Sequence, residues 1–198
     1  MKTIMAGMLA AAALAGAACS DQSTDPAAPS YSAFGSPLAS AARGRAREGF
    51  GFNGTVRGFP TGRVFLTGGG SFDAATASNV VPSETDVASA GGFRCLEAVA
   101  QGPLAGCEAG QGVRWDTAQL LASTTFKCTG VDAGKPAVTG AGIVVLLADF
   151  YRAGDGNDES FTAQMIVADH DIAPDILGEQ TLWVQGVGCG DAVVHFNR

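Results

Sequence analysis

From Phe50 onward, apolar and aromatic residues recur in short runs separated by glycine-rich turns, a spacing that predicts strands and few helices. Arg63–Thr67, Gly92–Val99 and Thr125–Thr129 read as strands. Ile143–Tyr151 is rich in Val and Leu and reads as a central strand buried on both faces in its first half. Ser160–Val167 alternates at its start, and the intervening Arg152–Glu159 is dense in turn-formers, so the two runs predict a hairpin with a long polar loop. Thr181–Gly186 and Asp191–Phe196 predict a last pair around a turn at Val187–Gly190. Asp116–Ala122 is the single helical candidate, and Pro82 and Pro174 mark loops. Roughly seven or eight strands in succession predict an all-β fold, a single antiparallel β-sandwich or jelly-roll-like domain over residues 50–198.

The chain before Phe50 follows another pattern. Lys2 precedes an apolar run, Ile4–Ala18, of about 15 residues, too short to span a bilayer and suited to a secretory signal over residues 1–18. Cys19 stands directly after that run and before the polar stretch Ser20–Thr24. This arrangement resembles the lipobox of bacterial lipoproteins, which implies a thioether-linked diacylglycerol on Cys19 and the lipid bilayer as a partner. Acyl chains on one cysteine would anchor firmly, because each buried methylene contributes about 0.8 kcal/mol. Ser20 follows the cysteine, and by resemblance to the sorting of Gram-negative lipoproteins this implies the outer membrane. The competing reading is an ordinary signal cut at an Ala-x-Ala site such as Ala15-Gly16-Ala17, which would release a secreted or periplasmic protein. Residues 19–49 are Ser-, Pro-, Ala- and Gly-rich with few large apolar side chains, and predict a flexible tether.

Composition narrows the function classes. Charged residues make up 16% of the chain and the formal net charge is -7, which argues against binding nucleic acid through a basic patch. The one basic cluster, Arg43, Arg45 and Arg47, lies in the tether without interleaved aromatic residues.

Four cysteines follow Cys19, and an even number in an exported domain predicts two disulfides. Of the three pairings, Cys95 with Cys107 and Cys128 with Cys189 are favoured: the first closes a glycine-containing loop, and the second joins strands expected to meet. Zinc is the weaker reading, since there is no Cys-x-x-Cys and there are two histidines, His170 and His195.

Glycine-marked segments carry a family likeness: Thr67–Gly70, Gly154–Phe161, and Gln185–Gly190 with His195. On these the chain resembles bacterial exported lipoproteins and, more distantly, the post-COAP-type β domains of secreted bacterial proteins. The resemblance implies an all-β module on an exported protein and brings no catalytic residues with it.

Asp155, Asn157, Asp158 and Glu159 offer several oxygen ligands in one loop, as structural calcium would need. Their spacing departs from the EF-hand, with Ser160 in place of the turn glycine and Ile166 in place of the bidentate glutamate, so a solvated loop without a cofactor is the preferred expectation. Asp169-His170-Asp171 could support acid or base chemistry, but adjacent side chains on a strand diverge and no Gly-x-Ser-x-Gly elbow accompanies them. No catalytic residue is therefore assigned. Trp115, Trp183 and Tyr151 could stack on a ligand such as a sugar, although for the tryptophans a core position competes. The expectation is a cell-envelope lipoprotein with a non-catalytic β domain for binding or envelope structure. The alternative is an exported hydrolase acting on carbohydrate or another envelope polymer.

Overall fold

The computed structural model describes residues 47–152 and 160–197. Cys19 and the acidic quartet Asp155, Asn157, Asp158 and Glu159 lie outside them. The described chain is almost entirely strand: β1 (Glu48–Gly58), β2 (Arg63–Phe72), β3 (Val87–Glu97), β4 (Arg114–Leu120), β5 (Ser123–Phe126), β6 (Lys135–Val138), β7 (Ile143–Tyr151), β8 (Ser160–Ala168), β9 (Leu182–Val184), β10 (Gly188–Gly190) and β11 (Ala192–Asn197). A 3-10 turn over Ala74–Thr76 accompanies them, with the Asp73 carboxylate accepting from Ala75 N–H at 3.0 Å.

The expected all-β antiparallel class is what the chain adopts. Nine strands form one sheet in the order β10-β9-β8-β7-β4-β3-β2-β1-β11, and β10 also pairs with β1. The sheet thus closes on itself, so its facing layers are two halves of one continuous sheet. Closure rests on Arg57↔Cys189 and Gly58↔Gly188, with Phe59 N–H donating to Val187 O beyond them. The long hairpin of the sequence reading is present, β7 pairing with β8 from Ile143↔Ala168 to Tyr151↔Ser160.

Alternation along the strands fills the inside of the closed sheet. Phe50, Phe52, Val56, Leu66, Phe72, Phe93, Trp115, Leu146, Phe150, Met165 and Val184 are buried there in one cluster. An eight-stranded closed sheet is about narrow enough for side chains to fill, and this one is filled. Leu104 and Val187 join the same cluster from loops.

The β5–β6 hairpin forms a separate two-stranded sheet, set as a flap on the outside. Leu121, Phe126 and Ala137 of this segment pack on Val145, Ile166 and Trp183, the outward residues of β7, β8 and β9. The Thr124 hydroxyl donates to Gln164 Oε1 on β8, and Trp183 Nε1 donates to Lys127 O at 3.1 Å. Cys128–Cys189 ties the flap to β10, while Cys95–Cys107 closes the loop after β3.

Two local expectations are corrected. Asp116–Ala122 is not a helix: most of it lies in β4, where Trp115 points in and Asp116 out, and pairing with β7 overrides a weak local preference. Gly188–Gly190 is a short strand, not part of a turn, since it has partners on both sides. The glycines of Thr67–Gly70 lie inside β2. A Cβ on Gly68 would stand 2.5 Å from Trp115 Cζ2, and one on Gly91 2.7 Å from Trp115 Nε1. Missing side chains there make room for the indole.

Candidate functional site

The three aromatic residues singled out from the sequence do not converge. Trp115 is fully buried inside the closed sheet, its Nε1 donating to Thr67 O at 3.1 Å and its ring 5.8 Å from that of Phe52. Trp183 is 6% exposed beneath the flap, 6.0 Å from Phe126. Trp115 is a packing residue, whereas Trp183 packs against the flap and also lines a small recess with Phe59, Pro60 and Phe126. Tyr151 lies on the outer face, away from the flap. Its hydroxyl donates to Asp116 Oδ1 at 3.4 Å, and the Arg114 guanidinium lies 4.4 Å from its ring centre.

His170 is exposed, with Nδ1 3.1 Å from Asp169 Oδ1, and no hydroxyl among the described residues is hydrogen-bonded to its ring. His195 points outward from β11, which alternates from Ala192 through Phe196. Among the described residues no three His, Cys, Asp or Glu side chains converge as a metal site would require.

Two of the open grooves on the outer surface carry arginines. The first, about 610 Å³, runs over β2 and β3 beside the segment 110–113. Phe65 of β2 and Arg94 of β3 are register partners and both face outward into it. Thr67 and Gln111 add a hydroxyl and an amide, and Gly92 forms part of the floor. Arg94 is the one charged residue in the lining, and among the described residues it has no ion-pair partner. Gln111 is held by its backbone and by Oε1, which accepts from Glu108 N–H at 2.9 Å, leaving its amide nitrogen directed elsewhere. Cys95 N–H donates to Gln111 O, and Gly110 N–H to Cys95 O, so this segment continues the sheet beside β3.

Along the same face, beyond β4, the Arg114–Tyr151–Asp116 group is followed by Asp149, which stands opposite Asp116 and accepts from the Thr162 hydroxyl at 2.7 Å. The second groove, about 660 Å³, lies where the sheet closes and is floored by Cys128 and Cys189. Arg57 and Arg63 face it as cross-strand partners, but Glu179 and Asp191 line it too, and Arg63 Nε is 3.3 Å from Glu97 Oε1. Its charges largely offset one another.

One carboxyl of the flap is perturbed. Asp132 is held below the ordinary carboxylate range, first by the Thr129 side chain beside it and then by the hydrogen bond from Thr129 N–H and the Lys135 ammonium, with desolvation acting the other way.

Neither Phe65 nor Arg94 stood out in the sequence. Both lay within expected strands, and only the register that sets them side by side reveals a groove. No family model, curated protein or solved structure matches the chain.

Proposed function

We propose that the protein is a cell-envelope lipoprotein, anchored through Cys19 in the outer membrane, whose closed sheet serves as a non-catalytic binding module. The filled interior carries the reading. Among the described residues, Phe50, Phe52, Phe72, Phe93, Trp115 and Phe150 fill the inside of the closed sheet, which favours recognition on the outer face. That face has open grooves with hydrogen-bonding and aromatic groups, the form a binding surface takes. The signal-like N-terminus and its cysteine supply the anchor.

The anchor is tested by metabolic labelling with palmitate and membrane fractionation of the unaltered protein beside Cys19→Ser. Label and membrane partition that both vanish in the variant are expected; an unlabelled native protein would overturn anchoring.

The competing reading, an exported hydrolase, has one observation in its favour: Asp116 and Asp149 are opposed across β4 and β7 on the open face. Paired carboxylates are the usual equipment of glycoside hydrolysis. Here each is already engaged, by Tyr151 and by Thr162. Reducing-end release from envelope polysaccharides, abolished by Asp116→Asn or Asp149→Asn, would decide for the hydrolase.

A further inference from the structure

The groove over β2 and β3 is chemically one-sided. Its lining has one cation, Arg94, no carboxylate, two neutral hydrogen-bonding side chains, Thr67 and Gln111, and the ring of Phe65. The chain as a whole is acidic, with a formal net charge of -7, whereas this lining holds no carboxylate and Arg94 has no ion-pair partner among the described residues. A guanidinium presents a planar fork of donors that matches a carboxylate in two parallel hydrogen bonds. Gly92 leaves the floor bare: a Cβ there would meet Thr67 Cγ2 at 3.4 Å and Val113 O at 3.6 Å, ordinary contact that the fold tolerates, while occupying the groove. The volume, about 610 Å³, lies within the roughly 300–1,000 Å³ of small-ligand sites.

We propose that this groove binds a carboxylate-bearing saccharide of the uronate class. Arg94 pairs with the carboxylate, Thr67 and the Gln111 amide nitrogen bond ring hydroxyls, and Phe65 offers its apolar surface to the C–H face of the sugar. An acidic peptide fits less well. An extended peptide is usually held by main-chain pairing to a free strand edge, and here β2 lies between β1 and β3, while β3 is taken by β2, β4 and the segment 110–113. The inference deepens the binding-module reading above and rests on it, but it does not require the lipid anchor.

The test is calorimetric titration of the full exported chain with oligogalacturonate, beside its fully methyl-esterified form and oligoglutamate. Binding of the free acid is expected, with affinity at least about tenfold lower for the ester, which lacks the charge, and for oligoglutamate, which lacks the ring. Arg94→Ala should cost about tenfold or more, and Arg94→Lys, which keeps the charge but not the fork, a smaller factor. Gly92→Thr should block binding while leaving the thermal midpoint near that of the native protein. Arg57→Ala removes the same charge at the other groove and should leave affinity unchanged. Equal loss in Arg57→Ala and Arg94→Ala would reduce the effect to general charge attraction and overturn the proposal. So would equal binding of acid and ester, preference for oligoglutamate, or no binding by the native chain. Retained uronate binding in a protein that lacks palmitate label would refute the anchor alone.

Discussion

The inside of the closed sheet and the cluster beneath the flap are both apolar, yet they are held together differently. The inner cluster draws on nearly every strand of the main sheet, each contributing alternate residues, so no single contact organises it. The outer cluster has a two-stranded sheet on one side, and such a hairpin alone is marginal in water. Its position depends on a few ties: Cys128–Cys189, Trp183 to Lys127 O, Thr124 to Gln164, and Lys135 to Asp175 at 3.1 Å. Redundant packing should fail all at once, and a tied flap should be able to open by itself.

The largest expected effect tests the first half of that contrast. Trp115→Ala should lower the unfolding free energy by about 3–5 kcal/mol, the usual cost of removing a large buried ring. Gly68 and Gly91 have no side chains to fall into the space, so relaxation is restricted. Urea unfolding should remain a single transition at a lower midpoint. A separate early transition confined to the flap would show that Trp115 does not support the whole closed sheet.

The second comparison removes the staple. Cys128→Ser together with Cys189→Ser opens a 61-residue separation and should cost up to about 4 kcal/mol on loop-closure entropy. The separation of 12 between Cys95 and Cys107 gives about 3 kcal/mol on the same basis. The sharper readout is spatial. Amide exchange in β5 and β6 should accelerate strongly in the first double variant while the β7 amides stay protected. Uniform acceleration across both sheets would mean that the flap and the closed sheet unfold as one unit.

The same contrast explains what could be read from the sequence. Ile143–Tyr151 was legible as a doubly buried strand because Val144 and Leu146 face inward while Val145 faces the flap, so both faces are apolar at once. The cysteine pairs followed from parity and from the strands around them. β1 carries no clear strand signal, since Gly49, Gly51 and Gly54 interrupt its apolar pattern, and β6 is masked by its four-residue length and Pro136. Closure through β10 rests on a Gly-Cys-Gly stretch that by local chemistry reads as a turn. At the candidate site, the ring of Tyr151 marks the outer face but not the groove. Arg94 and Phe65 became partners only through the β2–β3 register, a long-range fact with no local signal.

The smallest expected effect concerns acid and the flap. Asp132 lies in the turn between β5 and β6, where its Oδ2 accepts from Thr129 N–H at 2.9 Å and stands 3.6 Å from Lys135 Nζ. The Thr129 side chain, before these two, holds its carboxyl below the ordinary value of 3.8. A carboxyl lowered in the folded state favours that state when ionised, so its contribution is fully present above the ordinary value and is lost as pH falls through the lowered one. Lys135 then keeps Asp175 but loses the turn carboxylate that helps to position it. As pH falls from about 5 to about 2, Trp183 fluorescence should report flap loosening before the closed sheet unfolds. Asp132→Asn should remove that early phase and leave the main acid transition in place, because Asp132 lies in the flap and outside the inner cluster. An early phase that persists unchanged in the variant would assign the acid response to other carboxyls and detach Asp132 from the flap.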